Sequence, residues 1–213
     1  MKSESEINVA GDIRARILSM IIGAELKPGV RIVEDELCEK IGVGRTPLRE
    51  ALLVLQGEGY VERKRGWIVG EVNNDQISAI FESRAAIEGA TARLAARYAD
   101  DSTFAELKDL IEKMDRIDLL SRRDLNELNS SFHQKIVDAA RNPFLADFHK
   151  RTRFQYWLLR VPVLFTEVEA KRTNDQHRMI LDCLINRDEK GAEEAARDHV
   201  ETTRSIVEPA IRF

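Results

Sequence analysis

Cysteine is scarce in this sequence, and long apolar runs are missing from it. The two cysteines, Cys38 and Cys183, are far apart and lack the spacing of metal ligands, so they indicate reduced thiols. No apolar stretch reaches the roughly 18 residues that span a membrane. The polar first residues also lack the apolar segment of a secretory signal. We therefore expect a cytoplasmic chain without a membrane partner.

Net positive charge is also missing. The 33 lysines and arginines are outnumbered by 37 aspartates and glutamates, which gives a formal net charge of −4. Any contact with nucleic acid must therefore come from a local basic patch rather than from the charge of the whole chain. With 43% hydrophobic and 33% charged residues over 213 positions, the composition predicts one large or two modest domains with packed cores.

The first 72 residues have the element order of a winged helix-turn-helix. A polar, loose arm is expected at residues 1–10, and apolar residues at helical spacing then predict a first helix. Two further helices are predicted at about 34–41 and 45–56. Residues 60–69 contain two β-prone runs around a glycine turn, which predicts a hairpin. Three helices followed by a hairpin are typical of a winged-helix domain.

The rest of the sequence is helical by period. We interpret residues 73–76 as a linker and residues 77–213 as an antiparallel helical bundle. No strand-like alternation occurs in this part, so the protein is expected to be mainly α. The six predicted helices lie at about 75–98, 102–114, 121–140, 143–159, 166–185 and 188–208.

Arginines near the start of the third predicted helix form a local basic patch. Arg45 and Arg49 are one turn apart beside the apolar stripe, so they can point outward together. In a helix-turn-helix the start of the second helix enters the major groove, where arginine pairs with guanine. The predicted wing adds Lys64 and Arg65, which suit phosphate or minor-groove contacts. The simpler alternative is that these arginines are solvated surface residues.

Three of the four histidines lie on apolar faces of three different predicted helices. His133, His177 and His199 would then point into one bundle interior. Asn129 lies one turn before His133 on the same face, and His149 lacks such a face. A shared divalent cation would serve all three imidazoles, with zinc favoured and nickel, manganese or iron also suitable. The alternative is three separately hydrogen-bonded core histidines.

Residues 28–66 resemble the GntR family of repressors. By this resemblance, Arg45, Thr46 and Arg49 contact DNA, and Gly66 lets the wing backbone approach the minor groove. Gly44 departs from the family's usual serine or threonine and loses a hydroxyl contact to phosphate, although glycine can still begin a helix. The matching positions are Pro28-Gly29, Glu36-Leu37, the run IGVGRTPLREAL at 41–52, Leu55, Gly59-Tyr60-Val61 and Gly66.

The C-terminal region is similar to the FCD ligand-binding domain of the FadR branch of that family. There an Asp-x-x-x-His pair and two later histidines hold a metal, and the matching residues here are Asn129, His133, His177 and His199. Asparagine replaces the usual aspartate, and its neutral amide oxygen is a weaker ligand. Six helices rather than seven indicate the shorter, VanR-like group.

Arg84 lies in a segment, residues 82–88, that resembles the family segment whose arginine lines the effector pocket. The resemblance implies that Arg84 pairs with an effector carboxylate through two parallel hydrogen bonds, with Arg153 as a weaker candidate for the same pocket. Without the resemblance, Arg84 could be a surface charge on a long helix.

Together these features predict a homodimeric transcription repressor that binds palindromic half-sites in double-stranded DNA. Its operator affinity would be controlled by a small organic acid bound in the C-terminal domain. Two alternatives remain open. One is a metal-dependent, hydrolase-like enzyme with Glu88, Asp138 or Asp182 as the base. The other is a DNA-binding dimer whose helical half binds no effector.

Overall fold

The computed structural model describes residues 4–22, 25–116, 119–160, 163 and 165–211. It divides into two compact units, Met1–Val72 and Asn73–Phe213, which are considered separately below. Within the described residues, no helix combines the length and the apolar character needed to cross a membrane.

The first unit is a winged helix-turn-helix, as predicted. Its strands form an antiparallel sheet in the order β1-β3-β2, in which Ile32 pairs with Trp67 and Val61 pairs with Val69. Strand β1 was not predicted, because two residues are too few to produce an alternating pattern. The described elements are α1 (Glu4–Ile22), β1 (Arg31–Ile32), α2 (Glu34–Ile41), α3 (Arg45–Gly57), β2 (Val61–Arg63) and β3 (Trp67–Val69).

The prediction of a loose arm at residues 1–10 is wrong from Glu4 onward, because α1 begins there. Residues 1–3 lie outside the described part of the chain. The helix dipole favours acidic residues such as Glu4 and Glu6 at a helix N-terminus. Polarity alone was therefore a poor basis for predicting irregular structure.

Helix α3 packs its apolar face against α1, and this packing determines which side chains reach solvent. Gly42 ends α2 in the left-handed region at φ 76°, and its N–H donates to the Cys38 carbonyl at 2.8 Å, which produces the turn between the two helices. Gly44 begins α3 without a side-chain cap. The buried residues of α3 are Leu48, Ala51, Leu52 and Leu55.

The second unit is the predicted bundle, with six α-helices among the described residues after a short 3-10 turn at Asn74–Gln76. Helix α4 is central and packs against α6, α7, α8 and α9. The helices are α4 (Ile77–Tyr98), α5 (Asp101–Met114), α6 (Arg122–Ala139), α7 (Pro143–Arg160), α8 (Glu167–Ile185) and α9 (Glu189–Ile211).

The core of the bundle surrounds the inner faces of α4, α5, α6, α8 and α9. Thr166 starts α8 with a capping box, since its hydroxyl accepts from the Glu169 N–H while the Glu169 carboxylate accepts from the Thr166 N–H. Asp188 accepts from the Gly191 N–H at the start of α9. The core includes Ala92, Ala96, Leu107, Ile111, Phe132, Ile136, Ile180, Leu184 and Ala192.

Candidate metal centre and nucleic-acid interface

The structure brings together the three histidines that sequence periodicity placed on apolar faces. His133 on α6, His177 on α8 and His199 on α9 are all buried. One nitrogen from each ring can be chosen so that the three atoms lie within 4.8 Å of one another. The ring centroids are 4.5 to 5.3 Å apart. Three helices thus present imidazoles to one point inside the bundle.

These residues fit a divalent cation. Zinc–nitrogen bonds are about 2.0–2.1 Å long, which places ligand nitrogens about 3.4 Å apart in a tetrahedral site. The histidine nitrogens, which lie within 4.8 Å of one another, therefore have to approach by at most about 1.4 Å. The Nε2 atom of His133 is buried and has no hydrogen-bond partner among the described residues. A bound cation would satisfy such an atom, and an all-imidazole set suits zinc, nickel, iron or manganese.

His177 is oriented from behind by Asn174. The Nδ1 atom of His177 lies 3.2 Å from the Asn174 Oδ1 atom, one turn earlier on α8. The Asn174 amide nitrogen donates to the Ile111 carbonyl at 3.1 Å and to the Asp115 carboxylate at 2.7 Å. The asparagine therefore connects the histidine to the C-terminal end of α5.

Arg84 is a buried cation connected to the histidines. Its side chain is 4% exposed, so the alternative of a surface charge is wrong. Its Nε and Nη2 atoms lie 2.8 and 2.6 Å from the Glu88 Oε1 atom, and the guanidinium carbon lies 3.4 Å from the ring centroid of Tyr156. The second carboxylate oxygen of Glu88 lies 3.1 Å from the His133 Nδ1 atom. Arg84, Glu88 and His133 thus form one buried chain.

The charges in this chain compensate one another. Burial would raise the pKa of Glu88, but the charge of Arg84, more than any other neighbour, holds that pKa well below its ordinary value. Burial likewise opposes the charge on Arg84, and the Glu88 carboxylate nevertheless keeps the Arg84 pKa above its usual value. The Nη1 atom of Arg84 is buried and has no hydrogen-bond partner among the described residues. The Nη1 group of Arg84 is therefore available to donate hydrogen bonds to a bound anion.

His149 lies in the interior, although its sequence neighbours predicted otherwise. It is 4% exposed on α7, and its Nδ1 atom has no hydrogen-bond partner among the described residues. Burial, more than any neighbouring charge, lowers the pKa of His149 to about 4. The expectation failed because the apolar residues Phe144 and Phe148 of α7 are exposed, whereas His149 and Tyr156, two turns apart, are the buried ones among its described side chains.

The depressed pKa of His149 predicts a loss of stability in acid. Because the ordinary pKa of histidine is near 6.5, the unfolded chain takes up this proton first as the pH falls. The free energy of unfolding should therefore be highest above pH 6.5. It should fall by about 3 kcal/mol as the pH decreases toward 4. Denaturant unfolding of the metal-free protein at pH 7 and pH 4 should show this loss. His149→Leu should lack that component, and parallel pH profiles for the two proteins would contradict the assignment.

The other residues proposed for this region are less closely connected. Asn129 is partly buried on α6, one turn before His133. Arg153 is exposed, and its Nη1 atom donates to Gln134 at 3.3 Å. Asp138 and Asp182, named as bases in the enzyme alternative, are exposed to solvent.

The DNA-binding candidates on α3 are exposed side by side. Thr46 is exposed, Arg45 is 63% exposed and Arg49 is 54% exposed. Arg45 donates two hydrogen bonds to the Asp35 carboxylate at 2.7 and 2.8 Å. Arg49 donates to the Glu34 carboxylate at 2.7 Å. Both arginines are thus held by acidic residues in the first turn of α2, and DNA would have to replace those partners.

The wing presents a second exposed basic surface. Lys64 is exposed and lies 3.1 Å from the Glu62 carboxylate, and Arg65 is exposed beside it. Gly66 has φ 147°, and a Cβ atom there would lie 3.1 Å from the Arg31 Nη2 atom. Arg31 donates from that atom to the Arg65 carbonyl. Glycine at position 66 therefore permits a backbone conformation that other residues rarely adopt, and it leaves room for the Arg31 side chain.

Sequence reasoning missed two residues of the buried site, Asn174 and Tyr156, and considered a third, Glu88, only as a base in the enzyme alternative. Glu88 follows Arg84 by four residues, a spacing that places the two on one helix face and could have indicated the ion pair. Asn174 precedes His177 by three residues, which is also a same-face spacing. Tyr156 carried no comparable signal, because it lies on a different helix from the arginine that covers its ring.

Comparisons with known proteins agree with this two-part organisation. Residues 79–202 match the family model of the FCD domain, and residues 9–67 match the model of bacterial regulatory proteins, gntR family. The Glc operon transcriptional activator of Escherichia coli (strain K12) is 30% identical over 211 residues, covering 87% of this chain and 83% of that protein. The HTH-type transcriptional repressor GlaR of the same strain is 27% identical over 205 residues, covering 90% and 92%. The solved structure of E. coli McbR/YncC shares the fold, with a TM-score of 0.76, 23% identity and full coverage of both chains.

Proposed function

The chain belongs to the gntR family of bacterial regulatory proteins and is a DNA-binding transcription regulator with an FCD domain, and we propose that a small organic acid, bound at a metal site in its helical unit, controls its affinity for operator DNA. The observation that carries this proposal is the buried convergence of His133, His177 and His199 beside the buried cation Arg84. An effector that bound at the protein surface would require neither a buried group of histidines nor a buried arginine.

In this proposal the three histidines hold the cation, with Asn129 as a fourth, weaker ligand. When bound, the cation supplies a positive charge and coordination positions for carboxylate oxygens. Arg84 supplies the second anchor, because its unpartnered Nη1 atom can donate to the same acid. A buried donor without a partner is unfavourable by about 1–3 kcal/mol, and binding of an anion would remove that penalty.

Arg84 is already paired with a carboxylate that the protein itself provides. Glu88 occupies two of the nitrogens of Arg84 and also lies against His133. The guanidinium has five N–H donors, so an incoming carboxylate can pair in the two-pronged manner with the Nη1–Nη2 edge while Glu88 keeps the Nε–Nη2 edge. The helix carrying both residues, α4, packs against four other helices of the bundle, so a change there can alter their packing.

We infer that the regulator acts as a homodimer in the cytoplasm on palindromic half-sites about one helical turn of DNA apart. Arg45, Thr46 and Arg49 would enter the major groove, and Lys64, Arg65 and Gly66 would contact the backbone and the minor groove. Effector binding changes DNA affinity only if the acid has different affinities for two dimer arrangements. The expected direction is repression, a role that the name of GlaR carries, whereas the Glc operon regulator is named an activator.

A thermal-shift screen of small organic acids, with the full chain loaded with zinc and with the same chain treated with chelator, tests this function. An acid present at one hundred times its dissociation constant should stabilise the loaded protein by about 2.7 kcal/mol, a shift in melting temperature of roughly 5–10 °C. Chelator should abolish the shift. Acids that leave the loaded protein unchanged would favour the effector-free dimer, and turnover of an acid or ester above buffer would favour the enzyme.

A further inference from the structure

We propose that Asn174 and Glu88 are positioning residues for the metal site, each of which accepts a hydrogen from the Nδ1 atom of a ligand histidine so that its Nε2 atom faces the cation. Asn174 would act on His177 and Glu88 on His133. The inference rests on the proposed metal site, and it adds a feature that the site does not require by itself: two of the three imidazoles are held in one tautomer before any metal arrives.

The orientation of the Asn174 amide follows from its partners. Its nitrogen lies against the Ile111 carbonyl and the Asp115 carboxylate, and both of these groups only accept hydrogen bonds. Asp115 is also ion-paired with Arg178. Flipping the amide would place an oxygen against two acceptors, so the nitrogen must face α5. The amide oxygen must then face His177.

An amide oxygen only accepts, so the Nδ1 atom of His177 must carry the hydrogen. A neutral imidazole has one N–H and one lone pair, and a hydrogen on Nδ1 leaves the lone pair on Nε2. The contact of 3.2 Å is within hydrogen-bond reach. Partners of this kind fix the ring orientation of metal-binding histidines and are worth about 10- to 100-fold in metal affinity.

The same reasoning applies to His133. Arg84 donates to one oxygen of Glu88, which keeps the carboxylate ionised, and the other oxygen lies 3.1 Å from the His133 Nδ1 atom. The approach is close but not aligned as a hydrogen bond, and a small rotation of the imidazole would align it. The buried Nε2 atom of His133, which has no partner among the described residues, is then left for the cation.

The competing explanation is that Asn174 only ties α8 to α5. Two substitutions separate these roles. Asn174→Leu removes both the donor contacts to α5 and the acceptor toward His177. Asn174→Asp also removes the donor contacts, and it places an oxygen against the Ile111 carbonyl and the Asp115 carboxylate, so it breaks the tie to α5 at least as fully, but it keeps an acceptor oxygen toward His177. A purely structural tie predicts the same defect in both variants, whereas a positioning role predicts that Asn174→Asp behaves like the unchanged protein toward His177.

Two measurements on the full chain test the inference. Long-range proton–nitrogen spectra of the metal-free protein at neutral pH should show protonated Nδ1 and unprotonated Nε2 for His177 and His133. Asn174→Asp should keep that pattern for His177, and Asn174→Leu should shift it toward a mixture. Competition with a chromophoric chelator should then show zinc affinity falling about 10- to 100-fold in Asn174→Leu. Asn174→Asp should bind zinc nearly as tightly as the unchanged protein.

Asn186→Ala is the matched control, since Asn186 ends the same helix with an exposed contact to the Asp182 carbonyl, away from the histidines. It should change neither the spectra nor the affinity. A hydrogen on Nε2 of His177 in the unchanged protein overturns the inference without any variant. Equal zinc affinity for Asn174→Leu and the unchanged protein does the same. A protein that shows the expected tautomers but binds no zinc supports the positioning contacts and contradicts the proposed function instead.

Discussion

His177→Ala is expected to lower zinc affinity by more than about 100-fold and to abolish the response to organic acids. Loss of a residue that hydrogen-bonds to a metal ligand already reduces metal affinity by about 10- to 100-fold. Loss of the ligand itself should reduce it further. His177 is the most buried of the three histidines and packs against Phe132, with ring centroids 4.4 Å apart. Chelator competition measures the affinity, and circular dichroism checks that the helices persist.

Asn129→Asp provides the opposite test of the same site. A carboxylate is a stronger ligand than an amide oxygen, so this variant should retain zinc against higher concentrations of chelator. Indifference to the substitution would show that residue 129 is not a ligand, while leaving the three histidines in place. Unchanged zinc affinity in His177→Ala would be more serious, because the convergence of the imidazoles would then have no connection with a metal.

Periodicity was sufficient to predict the helices and the convergence of the histidines. An apolar stripe repeats along α6, α8 and α9, and a polar residue within such a stripe must point inward wherever the helix packs. The bounds of the six bundle helices were predicted to within a few residues for the same reason. His149 escaped this reasoning, because Phe144 and Phe148 of α7 are exposed while His149 itself is buried, so the apolar residues of this helix do not mark its inner face.

The partners of the buried groups were less accessible to sequence reasoning. Arg84 was selected by resemblance, but its pairing with Glu88 and its position over Tyr156 depend on how α4 and α7 pack. Asn174 is unremarkable as a sequence residue, and only the position of α5 reveals that its amide has a single allowed orientation. Long-range hydrogen bonds of this kind are created by tertiary packing, which local spacing does not encode.

The same limit applies to the DNA-binding surface. Arg45 and Arg49 were expected to reach solvent together, and both do so. Their ion pairs with Asp35 and Glu34 were not foreseen, because these join two helices across the turn at Gly42. Glu34 also accepts from the Trp67 indole at 3.0 Å, so one carboxylate links α3 to the wing. The free domain thus holds its recognition side chains in a defined arrangement.

Arg49→Ala is expected to reduce affinity for the specific operator by about 1–3 kcal/mol, which is roughly 5- to 150-fold. The reason is the loss of the bidentate contact to a guanine edge that we propose for Arg49. Binding to unrelated DNA should change much less. Fluorescence anisotropy with operator and scrambled duplexes, at one fixed salt concentration, measures both quantities.

Competition from Glu34 does not cancel this effect, because an exposed ion pair is worth only about 0–1 kcal/mol. Arg97→Ala is the matched control, since it also removes an exposed arginine ion-paired with a glutamate, Glu189, but in the helical unit. It should leave both duplexes bound as before. Lys64→Ala should instead weaken both duplexes alike and lower the salt dependence by about one counterion, as expected for a phosphate contact. If Arg49→Ala matched Arg97→Ala on the operator, then α3 would not be the helix that reads the bases, and the assignment of the major-groove surface would have to be abandoned.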